Sequence, residues 1–167
     1  PPRSTLFPYT TLFRSLVVNS AIDGGSGHVS LLASGTVTQA ANVTSTLTAT
    51  IDVSGATIAM NDGVTTSTGS GNIRYAATNT LSLGALSTTG NVSLKAAGIT
   101  DSGTTDTDVT AGSLRIEATG VTGAGTSANH LELNVATLSA TAGAAGLFVT
   151  ETNGITVDTV AAIAVNR

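Results

Sequence analysis

The densest chemistry in the sequence is the acidic run DSGTTDTD, which places Asp101, Asp106 and Asp108 within eight residues. Carboxylates crowded onto a polar turn are the hard oxygen donors that Ca²⁺ takes. The same side chains serve a turn equally well by accepting backbone N–H bonds, and their spacing is not that of a twelve-residue EF-hand loop. Asp101, Asp106 and Asp108 are therefore the candidate metal ligands, Ca²⁺ is the ion they would suit, and no catalytic residue or cofactor is assigned. The stretch GGSGHV (24–29) resembles one copy of a calcium-binding nonapeptide, but Val29 stands where Asp belongs and the copy is single, whereas calcium rolls need tandem copies.

Other reactive types are scattered. His28 and His130 lie far apart, neither with a partner at metal-ligand spacing, so both read as turn residues. Glu117, Glu132 and Glu151 are the only glutamates and fall in separate segments, although glycan cleavage would need two carboxylates flanking one bond. VTGAGTSAN (121–129) has the glycines of a phosphate loop without the following Lys or a helix. The pairs Thr36/Thr38 and Thr48/Thr50 do not recur at one slot on every repeat, as a flat ice-binding array would require. Tyr75 reads as a core residue.

The elements that must position these residues repeat. Gly27 opens GHVSLLASGTV, Gly71 opens GNIRYAATNTL, Gly90 opens GNVSLKAAGIT and Gly112 opens GSLRIEATGVT. The last three starts are 19 and 22 residues apart, and GATIAMNDG at Gly55 reads as a degraded copy between Gly27 and Gly71. A period of about 20 residues signals a solenoid. Inside each copy the period is two: Ile73, Tyr75 and Ala77, then Val92, Leu94 and Ala96, then Leu114, Ile116 and Ala118 alternate with polar neighbours. Such alternation puts one set on one face of a strand. No 3.6-residue apolar stripe persists.

One copy cannot bury its own apolar face, and coaxial stacking solves this, each rung bonding to the next at about 4.8 Å. The expected fold is all-β, a parallel β-helix of about seven rungs of roughly 20 residues; a β-sandwich is the alternative for regularly spaced strands. Arg74, Ser93 and Arg115 should share one outward column, and Ala76, Lys95 and Glu117 the next, so Lys95 should sit beside Glu117. LELNVATLSA (131–140) and GLFVTETNGITV (146–157) read as strands, with the facing of Phe148 undecided between it and its neighbours Leu147 and Val149.

Composition narrows the rest. Cysteine is absent, which excludes a disulfide framework and thiolate metal sites. Six Lys+Arg against ten Asp+Glu give a net charge of −4, which argues against nucleic acid. No apolar run reaches the roughly 18 residues that span a bilayer. All three prolines and three of the five aromatics precede residue 16. There TLFPYTTLFRS (5–15) resembles the in-frame translation of a common short-read sequencing adapter. Residues 1–15 are expected to be an adapter-derived artefact without structure, and 16–167 a solenoid segment cut at both ends. That segment keeps four basic and ten acidic residues, a net charge of −6.

GNVSLKAAGITDSG (90–103), DVTAGSLRIEATGVTGAGTSANHLELNVATLSATA (108–142) and LFVTETNGITV (147–157) resemble the filamentous-haemagglutinin-like adhesins, the long β-strand-repeat surface proteins of bacteria. The resemblance covers the second half well and 27–89 loosely. It implies a right-handed parallel β-helix, export to the outer surface, and contact with host-cell or surface glycans and proteins through the parent protein. On that basis the chain is expected to be a structural shaft segment and not an enzyme. The alternatives are a β-helical polysaccharide-active enzyme and a calcium-stabilised repeat.

Overall fold

The computed structural model describes residues 14–104 and 106–167. Of the segment read as adapter-derived, residues 1–13 lie outside the described residues. The first turn of chain carries β1 (Leu16–Val18), β2 (Ile22–Asp23) and β3 (Val29–Leu32), and the second β4 (Thr36–Gln39), β5 (Val43–Thr44) and β6 (Ile51–Gly55). The third carries β7 (Thr57–Met60), β8 (Thr65–Ser67) and β9 (Ile73–Ala77). β10 (Thr80–Leu83) and β11 (Ala85–Ser87) follow. Thereafter strands run through the corners: β12 (Asn91–Asp101), β13 (Val109–Ala124) and β14 (Leu131–Thr141), before β15 (Val149–Glu151) and β16 (Thr156–Val157). Among the described residues there is no helix, hence none long and apolar enough to cross a membrane.

Every strand pairing is parallel, and the pairings form three ladders. The first face stacks Leu16, Val37, Ile58, Leu81, Ile99 and Ala124. The second stacks Ile22, Val43, Thr66, Leu86, Val109 and Leu133. The third stacks Val29, Ile51, Ile73, Val92, Leu114 and Leu138. The chain is thus a three-sided parallel β-solenoid of about six turns, with β15 and β16 beginning another. At the usual spacing between strands this makes a rod about 29 Å long.

The two-residue period places the core as expected. Ile73, Tyr75, Val92, Leu94, Leu114 and Ala118 are fully buried, and Ala77, Ala96 and Ile116 nearly so. Ser93 pairs with Arg74 and Arg115, and Lys95 with Ala76 and Glu117, which confirms both outward columns. Lys95 Nζ lies 3.9 Å from Glu117 Oε2. Phe148 points outward to stack on His130, while Val149 packs against the core opposite Leu131.

One part of the repeat alignment is corrected. The copy between Gly27 and Gly71 is β6, with Ile51 in register with both Val29 and Ile73; ATIAM (56–60) belongs to the first face. The slot two residues before each third-face strand column reads Gly27, Ala49, Gly71, Gly90 and Gly112, so an alanine hides this copy. Glycine is required at Gly71 because a Cβ there would fall 1.8 Å from the Ala49 carbonyl oxygen.

The core contains one polar knot. Tyr75 donates to Gln39 Oε1 at 2.7 Å, Gln39 Nε2 donates to Thr66 Oγ1 at 2.9 Å, and the Thr66 hydroxyl lies 2.6 Å from the Tyr75 hydroxyl. All three side chains are wholly buried, and burial drives the Tyr75 phenol far above its ordinary value. A closed triangle satisfies groups that would otherwise each cost about 1–3 kcal/mol.

Candidate functional site

The corner joining the first face to the second collects the carboxylates. Asp101 closes the first-face part of β12, Asp108 immediately precedes β13, and Glu132 lies in β14 one turn further on. The register brings the last two together: Asp108 N donates to the Glu132 carbonyl, and Glu132 N donates to Asp108 Oδ2, both at 2.9 Å. One carboxylate oxygen from each of Asp101, Asp108 and Glu132 lies within 4.8 Å of the other two. Among the described residues this is the only such group of potential metal ligands.

The cluster is enclosed and incompletely satisfied. Asp108 is 2% exposed. Asp101 Oδ1 accepts from Gly103 N at 2.7 Å, as an Asx turn does. Asp101 Oδ2, Ser102 Oγ and Glu132 Oε2 are buried without a hydrogen-bond partner. Burial pushes the Asp108 carboxyl up to about 9 from an ordinary 3.8. The Glu132 main-chain N–H opposes that shift, whereas the neighbouring carboxylates of Asp101 and Glu132 add to it. At neutral pH the corner therefore holds a proton on Asp108, which relieves the repulsion among three close carboxylates. Three oxygens at this separation are also a partial shell for a hard cation.

Asp106 takes a different place from its neighbours. It is exposed, and with Asp62, Asp101 and Asp108 it lines a cavity of about 240 Å³ beside the cluster. The structure thus joins Asp101 to Asp108, puts Asp106 on the rim, and adds Glu132 and Asp62, which spacing alone did not find. The signal for Glu132 was its register: Val109 pairs with Leu133, so the residue before each strand position must be a neighbour.

The remaining candidates are structural. His28 Nδ1 accepts from Thr50 N at 2.9 Å, and His130 stacks on Phe148 with ring centroids 5.9 Å apart. Glu117 binds Arg115 at 3.0 Å, and Glu151 accepts from the main-chain N–H groups of Val135 and Asn153. The glycines of VTGAGTSAN lead into strand β14, not a helix; Gly123 and Gly125 have φ of 72° and 69°. Thr36 pairs with Thr57, but Thr38 stacks on Ala59, which breaks the threonine pair at the next turn.

Fold and corner together define a repeat-type β-solenoid with a largely apolar interior, broken by the Gln39–Thr66–Tyr75 knot, and a cluster of carboxylates at one corner. No family model matches the sequence, no curated protein matches it, and no solved structure matches the fold.

Proposed function

We propose that this solenoid is a structural shaft segment of a secreted or surface-exposed bacterial adhesin, holding adhesive regions of its parent protein away from the cell. The observation that carries the reading is the unbroken stack of three parallel ladders around one apolar interior. Such a stack transmits load along its axis and lengthens by repetition. The absence of cysteine suits export without oxidative trapping. Against a polysaccharide-cleaving reading stands the burial of Asp108, the central carboxylate of the corner cluster, which is only 2% exposed. The shaft contacts host or surface glycans and proteins through other parts of the parent.

Two assays test this. Antibodies against residues 16–167 should label intact cells producing the parent protein, and the label should vanish after external protease. Purified chain should release no reducing sugar from plant, bacterial or host polysaccharides. Purely intracellular antigen, or sugar release lost in Asp108→Asn and Glu132→Gln, would overturn the reading.

A calcium-stabilised repeat is a second reading, favoured by the orphaned oxygens of Asp101 and Glu132. It requires that millimolar calcium raise the melting temperature of the chain at pH 8, and that Asp108→Asn abolish the rise.

A further inference from the structure

The basic residues of the solenoid gather on the third face. Arg74, Lys95 and Arg115 are three of the four in residues 16–167, and they lie on β9, β12 and β13, successive strands of one ladder. Register stacks Arg74, Ser93 and Arg115 in one outward column and sets Lys95 in the next. After β16 the chain leaves the ladders and crosses this face, where the Val160 carbonyl accepts from Arg115 Nη1 at 2.9 Å. Between the columns and the crossing chain lies a cavity of about 200 Å³. Arg74, Ser93, Lys95, Arg115 and Glu117 are its polar lining, and Ala162 and Ile163 lie against it from the crossing chain.

Ser93 marks this cavity as a site. The alternation that sends Val92 and Leu94 into the core turns the Ser93 side chain outward, toward the cavity it lines. Ser93 is nevertheless only 7% exposed, and its hydroxyl has no hydrogen-bond partner among the described residues. A buried hydroxyl left without a partner is destabilising, and a ligand oxygen in the cavity removes that cost. Around Ser93, donors outnumber acceptors. Arg74 spends Nε and Nη2 on Asp52, and Arg115 spends Nη1 on Val160 and Nη2 on Glu117. Arg74 Nη1 and Arg115 Nε make no hydrogen bond among the described residues. Lys95 is exposed, and the carboxylate it faces, that of Glu117, is 3.9 Å away. Three cations against Asp52 and Glu117 leave an excess of one positive charge, in a segment whose net charge is −6.

We propose that this cavity binds a small tetrahedral oxyanion, inorganic phosphate or sulfate. Two guanidinium groups, an ammonium and a hydroxyl are a set of donors, and they match an ion whose every oxygen accepts. A water takes about 30 Å³ of liquid, so about 200 Å³ admits such an ion with a few waters. Glu117 competes with the ion for Lys95 and Arg115. Binding therefore draws Lys95 off its long contact with Glu117 and ties three successive turns together across one face. The inference goes beyond the shaft reading and does not depend on it.

The test titrates inorganic phosphate into the full chain by calorimetry at neutral pH, with ionic strength held constant by chloride. One saturable site per chain is expected, and sulfate should displace the phosphate. Ser93→Ala removes a hydroxyl that makes no hydrogen bond within the chain. It should leave the melting temperature without phosphate unchanged and weaken phosphate binding about tenfold. Lys95→Glu reverses an exposed charge and should weaken binding further. Glu117→Gln takes away the competing carboxylate and should tighten binding about two- to fivefold. A merely structural role for these side chains would move the melting temperature and leave affinity alone. No saturable phosphate binding, phosphate that sulfate leaves in place, unchanged affinity in Ser93→Ala, or looser binding in Glu117→Gln would each overturn the proposal.

Discussion

Asp108 makes stability fall as pH rises. Its carboxyl is held at about 9 in the folded chain and returns to about 3.8 when the chain unfolds. Between those values the folded state binds one more proton than the unfolded state. The stabilisation from this group is complete below about pH 4, and it is lost progressively as pH climbs toward 9. One proton gives a slope of at most about 1.4 kcal/mol per pH unit, so moving from pH 6 to pH 8 should cost up to about 2.7 kcal/mol. That is a large share of the 5–15 kcal/mol typical of a domain, to order of magnitude.

Asp108→Asn separates the proton from the shape. The amide carbonyl keeps the N–H of Glu132, and the amide N–H₂ takes the place of the proton toward Asp101. Urea unfolding at half-unit steps from pH 5.5 to 8.5, at constant ionic strength, should show a falling free energy for the unaltered chain and a much flatter line for Asp108→Asn. The variant should be the more stable protein above pH 8. Parallel lines for the two proteins would refute the reasoning, because they would show that no extra proton is bound at Asp108 in the folded chain.

Two further perturbations probe the stack itself. Tyr75→Phe leaves the buried Gln39 and Thr66 with one partner fewer each, and should lower the urea midpoint by the equivalent of about 1–3 kcal/mol with an unchanged m-value. Gly71→Ala drives a Cβ to 1.8 Å from the Ala49 carbonyl oxygen and should abolish cooperative melting by circular dichroism. The reverse change at the equivalent slot, Ala49→Gly, should cost only about 1 kcal/mol; comparable damage from both would mean that backbone approach does not govern that slot.

What was legible in the sequence is what depends on adjacent residues. Alternation of Val92, Leu94 and Ala96 fixes which side of the strand faces inward, because a strand has a period of two whatever surrounds it. Alignment of the glycine-led copies then fixed Lys95 beside Glu117. The copy at β6 escaped because Ala49 occupies the glycine slot, and a carbon atom is tolerated there although not one turn above. The facing of Phe148 escaped because both it and Val149 are apolar, and only the stack on His130 decides between them.

The acidic corner shows why a site on a solenoid is harder to read than its strands. Proximity along the chain predicted Asp101, Asp106 and Asp108 as one group, yet the corner sends Asp106 to the rim and replaces it with Glu132 from the next turn. In a stack of parallel turns, a side chain's nearest neighbours are those one full turn away, and turn length varies: third-face partners are 22, 22, 19, 22 and 24 residues apart. A fixed period therefore loses register within a few turns, and only strand pairing restores it. The contact of Arg167 with Asp52 lies beyond even that logic. It links residues 115 apart through a segment that has left the repeat, so no periodic alignment contains it. Chemistry on such a rod is assembled by register at the corners and by non-repeating chain on the faces, and those are the two places where this protein concentrates its charge.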